Sequence, residues 1–302
     1  MMKPDSPPDL PLVIYDCFSD TRFGGNVGGI VLNADALTPE MMQSIASEIN
    51  APVTGFVTAQ KGRDVTARFF MPSAEIAMCG HVTVGLFSHL SQEGGFGDGD
   101  FTMQTQASEI KVLVTANHDA PPTVLMQVGL PELKSPEIDT SALAGALGVA
   151  EVEIGKVTPL EFAEAGLSHL FVHLEELEAV QKLTPDFRKL ADVSSACGVH
   201  TVACFSMQTE DPANTLHIRD FCPAVGADEV PASGTTNGAL AGYLVRHALV
   251  PPGPQSVRAE QGAEMGRPSL VRCEIDSLNR ALINVHVGGQ AVASIKGIVS
   301  GS

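Results

Sequence analysis

Cys79 and His81 are the residues of this sequence that point most directly to chemistry. They lie in the segment AEIAMCGHVTVG (residues 74–85), directly before an apolar run that predicts a helix. A cysteine at a helix N-terminus or beside a cation has a lowered pKa, so more of it is thiolate at neutral pH and able to accept a proton. We therefore predict that Cys79 is partly ionised at neutral pH and removes a proton from a substrate, while His81 tunes Cys79 or binds the substrate. The alternatives are a buried, unreactive thiol and a histidine that only caps its helix.

The surroundings of Cys79 recur in the second half of the chain. The segment ARFFMPSAEIAMCGH aligns with IRDFCPAVGADEVPASGTT, which has three additional residues between its proline and its glutamate. An apolar, helix-like run follows both segments. Such an internal repeat predicts a duplicated fold. The matched residues are Arg68 with Arg219, Phe70 with Phe221, Pro72 with Pro223, Glu75 with Glu229, Cys79 with Ser233, and Gly80 with Gly234.

Each repeat predicts a junction where a loop enters a helix and leaves backbone N–H groups unpaired. If two such domains face each other, these N–H groups and the helix dipoles favour a carboxylate bound in the cleft. Gly80 and Gly234 would let the backbone approach this ligand closely. Cys79 and Ser233 would flank it, an arrangement that suits proton transfer at the carbon next to the carboxylate. Serine is a weak base without an activating neighbour, so Cys79 is expected to be the principal base.

Several other residues near the junctions receive supporting roles. Glu75 and Glu229 precede Cys79 and Ser233 by four positions, and we predict that they orient groups at the cleft or else are solvated turn residues. For Ser233 the alternative role is the N-cap of a helix that begins one or two residues after Gly234. Asn26 is either a ligand or a turn former. The predicted substrate-binding residues are Asn26, Gly80, His81, Gly234 and Thr235.

Composition narrows the class of protein. The chain has 302 residues, 44% of them hydrophobic and 18% charged, which predicts two globular domains. Its net charge of −17 makes a nucleic acid an unfavourable partner. We find no stretch that predicts a membrane span or a signal peptide and expect a frayed tail over residues 1–10. The six scattered cysteines predict reduced thiols in the cytoplasm, and neither a metal nor another cofactor is expected.

Short strand-like and helical segments alternate along both halves of the chain. LVIYDCF, TGFVTA and VTARFFM predict strands, whereas TPEMMQSIASEI, with its Thr-Pro start, predicts a helix. The pattern indicates an α+β protein with a domain boundary near residues 118–122. We therefore expect one domain over 11–120 and another over 121–302, with terminal strands that can cross back to the first domain.

Five motifs together resemble one known family. DCFSDTRFGGNVGGIVL, MPSAEIAMCGHVTVG, GLSHLFV, EQGAEMGRPS and VGGQAVASIKG occur in this order and are similar to signatures of the PhzF-like isomerases of phenazine biosynthesis. The resemblance implies the fold of diaminopimelate epimerase and proline racemase: two pseudo-symmetric domains, each an antiparallel β-barrel-like sheet around a central α-helix, with the active site in the cleft between them. It also implies cofactor-independent proton transfer and a homodimer.

The sequence departs from that family at two acidic positions. Val53 stands in NAPVT where the phenazine enzymes have a catalytic glutamate, and Val230 replaces an aspartate. His81 is retained. The motif MCGH instead resembles the proline racemase branch of this superfamily, and Cys79 corresponds to the first catalytic cysteine of that branch. In ASGTT, Ser233 takes the place of that branch's second cysteine, as in some hydroxyproline epimerases.

The sequence as a whole predicts a cofactor-independent isomerase or epimerase. It would move a proton at the carbon α to the carboxylate of a small amino or hydroxy acid, without nucleic-acid or membrane partners. One alternative is a dehydratase of a 3-hydroxyproline-like substrate that uses a single cysteine base. Another is a non-catalytic binding module in which the family's acidic groups are lost.

Overall fold

The computed structural model describes residues 9–117 and 119–300. They divide into two compact units: unit 1 contains the described residues up to Gln127 and those from Gly288 onward, and unit 2 is Val128–Val287. Most of the expected N-terminal tail, and residue 118 of the expected boundary, lie outside the described residues. Leu10 was wrongly assigned to that tail, because it begins the first strand and is buried against the side chains of a hydrophobic cluster.

Eighteen strands and six α-helices are found in the described residues. The helices are α1 (Pro39–Ile49), α2 (Gly80–Gln92), α3 (Thr140–Leu147), α4 (Leu177–Gln181), α5 (Phe187–Cys197) and α6 (Gly234–Arg246). The first eight strands, all in unit 1, are β1 (Leu10–Cys17), β2 (Asn26–Val31), β3 (Val53–Lys61), β4 (Asp64–Phe70), β5 (Glu75–Ile76), β6 (Gly99–Gln104), β7 (Glu109–Thr115) and β8 (Thr123–Gln127). Those that follow are β9 (Glu132–Lys134), β10 (Glu161–Ala165), β11 (Leu167–His173), β12 (Thr201–Ser206), β13 (Leu216–Cys222), β14 (Ala227–Val230), β15 (Gln255–Gln261), β16 (Ser269–Leu278), β17 (Ala281–Gly289) and β18 (Ala291–Val299).

The strands of unit 1 pair mostly with antiparallel neighbours. β1 lies between β18 and β2 and is antiparallel to both. β2 and β3 are parallel, β3 and β4 are antiparallel, and β4 then contacts the short antiparallel β5 and the parallel β6. β6, β7 and β8 follow as antiparallel neighbours. Burial alternates along β7 in step with the two-residue period of a strand, so one face is buried and the other exposed.

Unit 2 repeats this pairing scheme strand by strand. β9 and β10 are antiparallel, as are β10 and β11, whereas β11 and β12 are parallel. β12 and β13 are antiparallel, and β13 contacts the short antiparallel β14 and the parallel β15, which is antiparallel to β16. The pairing order of unit 1 therefore recurs in unit 2, as an internal repeat in the sequence predicts.

One 13-residue helix lies at the same point of each repeat. α2 contacts β1, β2, β3, β7, β8 and β18, and its residues from Val82 to Ser91 are all buried. α6 contacts β9, β10, β11 and β16, and its residues from Thr236 to Val245 are all buried. A helix buried on every side in this way is held in place by packing rather than by intrinsic propensity. No helix in residues 9–117 and 119–300 is long and apolar enough to cross a membrane.

Candidate functional site

A repeated ion pair holds the segment before each of these two helices. In unit 1, the guanidinium of Arg68 on β4 donates two hydrogen bonds of 2.7 Å to the carboxylate of Glu75 on β5. In unit 2, Arg219 on β13 donates to Glu229 on β14 at 2.9 and 2.8 Å. Such two-pronged contacts fix orientation as well as distance. The two glutamates therefore join neighbouring strands of their own unit, at the turn that leads into the helix.

Cys79 and Ser233 occupy equivalent backbone positions at the starts of α2 and α6. Each is the N-cap, with φ and ψ of −141° and 115° at Cys79 and −137° and 114° at Ser233. The Oγ of Ser233 accepts a hydrogen bond from the N–H of Thr236. α6 begins at Gly234, so the expected start at Thr235 or Thr236 was one or two residues late. Capping and a chemical role are compatible for Ser233, since its capping oxygen already faces the open N–H groups.

The Cys79 thiol contacts the His81 ring, and the contacts fix which ring nitrogen carries a proton. His81 Nε2 lies 3.1 Å from the carbonyl oxygen of Val27, which can only accept, so Nε2 is the donor. Nδ1 of the neutral ring is then an acceptor, and it lies 3.2 Å from Cys79 Sγ. The thiol therefore donates its proton to Nδ1. This arrangement is a cysteine–histidine pair in which the histidine is oriented by a third group.

Burial opposes charge on both members of this pair. Only 7% of Cys79 is exposed, and desolvation raises the pKa of its thiol to about 12, against the opposing effect of the N–H groups of Val82 and His81. Desolvation likewise lowers the pKa of His81 to about 4, although the Val27 carbonyl favours the charged ring. The prediction of an appreciable resting thiolate was therefore wrong, because the loss of water outweighs the helix N-terminus. The resting pair is a neutral thiol and a neutral imidazole.

Ser233 is surrounded by hydroxyl groups. It is partly exposed, and its Oγ lies 3.1 Å from Thr235 Oγ1 and 2.9 Å from Thr236 Oγ1. The Thr236 hydroxyl in turn lies 2.6 Å from a carboxylate oxygen of Asp220, on β13. A carboxylate is thus connected to Ser233 through one intervening hydroxyl group.

Sequence reasoning missed Asp220, Thr236 and His169, which form one buried polar cluster. His169 Nδ1 lies 3.1 Å from Thr236 Oγ1 and 2.9 Å from Thr201 Oγ1. Burial raises the pKa of Asp220 to about 6 despite the hydrogen bond from Thr236. The available signal was a charged residue inside LHIRDFC, a segment that reads as a buried strand, since carboxylates are rarely buried without partners.

The remaining predicted ligands lie in several different settings. Asn26 is buried at the first residue of β2, opposite Cys17. A Cβ atom added at Gly80 would lie 3.6 Å from the nearest heavy atom, in the Met126 side chain, so packing alone does not require a glycine there. Val53 is buried at the start of β3, opposite Gly28 on β2. Val230 lies opposite Asp220 in the β13–β14 pair.

The six cysteines are thiols rather than disulfides; five of them are buried, and Cys197 is partly exposed. No group of three or more His, Cys, Asp or Glu side chains that could hold a metal ion occurs among the residues that the structure describes.

The sequence from residue 15 to residue 297 matches the family model PhzC-PhzF, described as phenazine biosynthesis-like protein. The chain belongs to this family. Similar proteins include an uncharacterised isomerase of Clostridium acetobutylicum, 29% identical over 93% of this chain and 95% of the other. The trans-2,3-dihydro-3-hydroxyanthranilate isomerase of Pseudomonas fluorescens is 30% identical over 95% of this chain and 98% of the other.

Solved structures agree with this family assignment. The chain is similar to the PhzF-family phenazine biosynthesis protein of Bacillus anthracis, with a TM-score of 0.88, 25% identity, and coverage of 97% of this chain and 99% of that one. It is also similar to a hydroxyproline epimerase of Agrobacterium vitis, with a TM-score of 0.62, 13% identity, and coverage of 96% and 92%. The fold is therefore a mixed α and β, strand-rich fold of the PhzF and epimerase-like type.

Proposed function

We propose that this member of the PhzC-PhzF family is a cofactor-independent isomerase or epimerase. It acts at the carbon α to the carboxylate of a small amino or hydroxy acid, with Cys79 as the principal base and Ser233 as the second proton carrier. The observation that carries the proposal is the 3.2 Å contact between Cys79 Sγ and an acceptor nitrogen of His81 at the N-terminus of α2. An isomerase-type activity is supported by the family and by the isomerases among its relatives.

The contact supplies a way to form a base from a buried thiol. Cys79 transfers its proton to His81 Nδ1, and the resulting thiolate removes the α-proton of the substrate. The imidazolium stays in place because its Nε2–H still donates to the Val27 carbonyl. The N–H groups of His81 and Val82 favour the thiolate. Since burial disfavours both charges, this ion pair forms only as the thiolate takes the α-proton of a bound substrate, whose carbon keeps the C–H electron pair and the negative charge.

Retention or loss of a β-hydroxyl separates the main proposal from a dehydratase. After α-proton removal, a second acid that returns the proton to carbon completes an epimerisation or isomerisation. If a β-hydroxyl leaves instead, the product is lighter by one water. Ser233, with its hydroxyl-rich surroundings, supports return of a proton and hence the isomerase.

The test is proton NMR in heavy water with the full chain. The compounds are D- and L-amino acids, hydroxyprolines, small unsaturated acids and trans-2,3-dihydro-3-hydroxyanthranilate, the last because it is the substrate named for a relative. Cys79→Ala is compared with Cys273→Ala, which removes another buried thiol whose pKa is also raised to about 12. His81→Gln removes the group that accepts the thiol proton.

We expect α-proton exchange in the wild type and in Cys273→Ala, a loss of 10²-fold or more in Cys79→Ala, and a similar loss in His81→Gln, since general acid and base catalysis contributes about 10²–10⁴-fold. A new diastereomer indicates an epimerase, a moved double bond an isomerase, and loss of water a dehydratase. Exchange that persists in Cys79→Ala contradicts the assignment of the base. Binding without exchange by any compound favours the non-catalytic module.

A further inference from the structure

Two members of the polar cluster near Ser233, Asp220 and Thr236, correspond to apolar residues in unit 1. Alignment of Arg68 with Arg219 and of Cys79 with Ser233 places Phe69 opposite Asp220, and Val82 opposite Thr236. In unit 1 these positions are fully buried and apolar. Unit 2 has a carboxylate and a hydroxyl at the equivalent positions, although the apolar pair of unit 1 shows that the fold does not require polar groups there. Their presence therefore calls for an explanation other than packing.

The Thr236 hydroxyl connects the carboxylate to Ser233 in a continuous chain of hydrogen bonds. Its Oγ1 is 2.6 Å from Asp220 Oδ2 and 2.9 Å from Ser233 Oγ. Thr236 has one hydroxyl proton, which can point to either neighbour. With Asp220 ionised, Thr236 donates to the carboxylate. With Asp220 protonated, the carboxyl donates to Thr236, and Thr236 donates to Ser233.

The cluster leaves polar atoms unsatisfied, which is costly in a buried site. Among the residues that the structure describes, Asp220 Oδ1 and His169 Nε2 are buried without a hydrogen-bond partner. Such groups lower stability, and they persist where a function maintains them. A carboxyl group held this way accepts and releases a proton more readily near neutral pH than an exposed aspartate does.

We propose that Thr236 and Asp220 form a proton relay that withdraws the proton of Ser233 and returns it. In the forward direction the Ser233 O–H bond breaks as its proton passes to a substrate carbanion, forming a C–H bond. Ser233 takes the Thr236 proton, and Thr236 takes the proton of Asp220, which becomes a carboxylate. In the reverse direction each proton moves back by one position. The use of this proton in turnover rests on the proposed function, whereas the relay itself does not.

The charged and titratable groups around Asp220 come from four strands. Glu229 on β14 disfavours its ionisation, and Arg219 precedes it on β13. His169 on β11 contributes a neutral ring, because burial lowers its pKa to about 4. Cys204 on β12 and Cys222 on β13 also interact electrostatically with Asp220, and burial raises the pKa of both thiols. Asp220 is therefore the member of this set that changes charge near pH 6.

The relay can be tested without a substrate through the reactivity of Ser233, which is partly exposed. Phenylmethylsulfonyl fluoride reacts with an activated serine: the Ser233 oxygen bonds to sulfur, fluoride leaves, and the serine proton passes through Thr236 to Asp220. Labelling at Ser233 is measured by peptide mass spectrometry between pH 5 and 8. The variants are Asp220→Asn, Thr236→Val and Thr236→Ser, and the last of these retains the hydroxyl.

Thr158→Val is the matched control, because it removes a hydroxyl of unit 2 that contacts Tyr243 and His173, away from Ser233. We expect the wild-type labelling rate to rise as Asp220 ionises. It should fall at least tenfold and lose this pH dependence in Asp220→Asn and Thr236→Val, and stay within about threefold of wild type in Thr236→Ser and Thr158→Val. Rates within twofold of each other in all five proteins, including no labelling in any, overturn the relay.

A second measurement separates failure of the relay from failure of the proposed function. With a compound that exchanges its α-proton, Thr236→Val should slow conversion to product at least 10²-fold while exchange through Cys79 persists. Equal conversion by Thr236→Val and wild type overturns the relay and leaves the isomerase intact. Relay-dependent labelling without exchange of any compound contradicts the isomerase and leaves the relay intact.

Discussion

The two equivalent ion pairs should differ in their contribution to stability, because their burial differs. In Glu229→Gln, the guanidinium of Arg219 keeps its charge and its 2.8 Å hydrogen bond to the Leu183 carbonyl but loses the carboxylate. Both side chains of this pair are 9% exposed, against 24% and 22% for Arg68 and Glu75. Removing one partner of a buried pair costs about 3–5 kcal/mol. The same change in a partly exposed pair, Glu75→Gln, costs about 1 kcal/mol.

Urea unfolding followed by far-ultraviolet circular dichroism measures this difference. With a slope of about 2–3 kcal/mol per molar urea, the Glu229→Gln midpoint should fall by about 1–2.5 M, and the Glu75→Gln midpoint by no more than about 0.5 M. Because two compact units need not unfold together, hydrogen exchange of peptides from each unit identifies where protection is lost.

The double variant Arg219→Met with Glu229→Leu is the control, since it removes both charges and should recover most of the lost stability. Equal midpoints for the two glutamine variants, or a larger loss in Glu75→Gln, would refute the argument that burial decides the contribution of each pair.

Two further predictions concern close packing and acid. A Cβ at Gly288 would lie 1.7 Å from the carbonyl oxygen of Val124, whereas one at Gly297 would meet no atom within 4 Å. In calorimetry, Gly288→Ala should therefore lower the melting temperature by several degrees, and Gly297→Ala by less than about 1 °C. Burial lowers the pKa of His173 to about 4, so below pH 6.5 the unfolded chain binds a proton that the folded chain does not, and stability falls as the pH drops from 6.5 to 4. The cost is about 3 kcal/mol for this group, so His173→Phe should show a shallower pH dependence in urea titrations, and an unchanged slope would contradict this assignment.

Much of the local geometry was predictable because it depends on residues close together in sequence. The match of Arg68 and Glu75 with Arg219 and Glu229 predicted a repeat, and both pairs form the same contact. The start of α1 at Pro39, directly after Thr38, follows from a hydroxyl cap and a proline at the first helical position.

The electrostatics of the site were not predictable, because they depend on burial and on contacts between distant strands. The N-terminus of α2 was visible in the sequence, but the loss of water that raises the pKa of Cys79 was not. The cluster of His169, Asp220 and Thr236 combines β11, β13 and α6. Only the strand register places these side chains together, and a single sequence does not specify that register.

The pairing of β1 with β18 affects how the chain folds during synthesis. Leu10 lies opposite Val299 and Cys17 opposite Ala291, so unit 1 gains this pairing only after β18 has left the ribosome. Unit 2 is a continuous segment, Val128–Val287, and its strands can pair earlier. Synthesis from the N-terminus therefore favours completion of unit 2 before unit 1. β1 and α2, the helix that begins directly after Cys79, can contact β18 only once that strand has been synthesised.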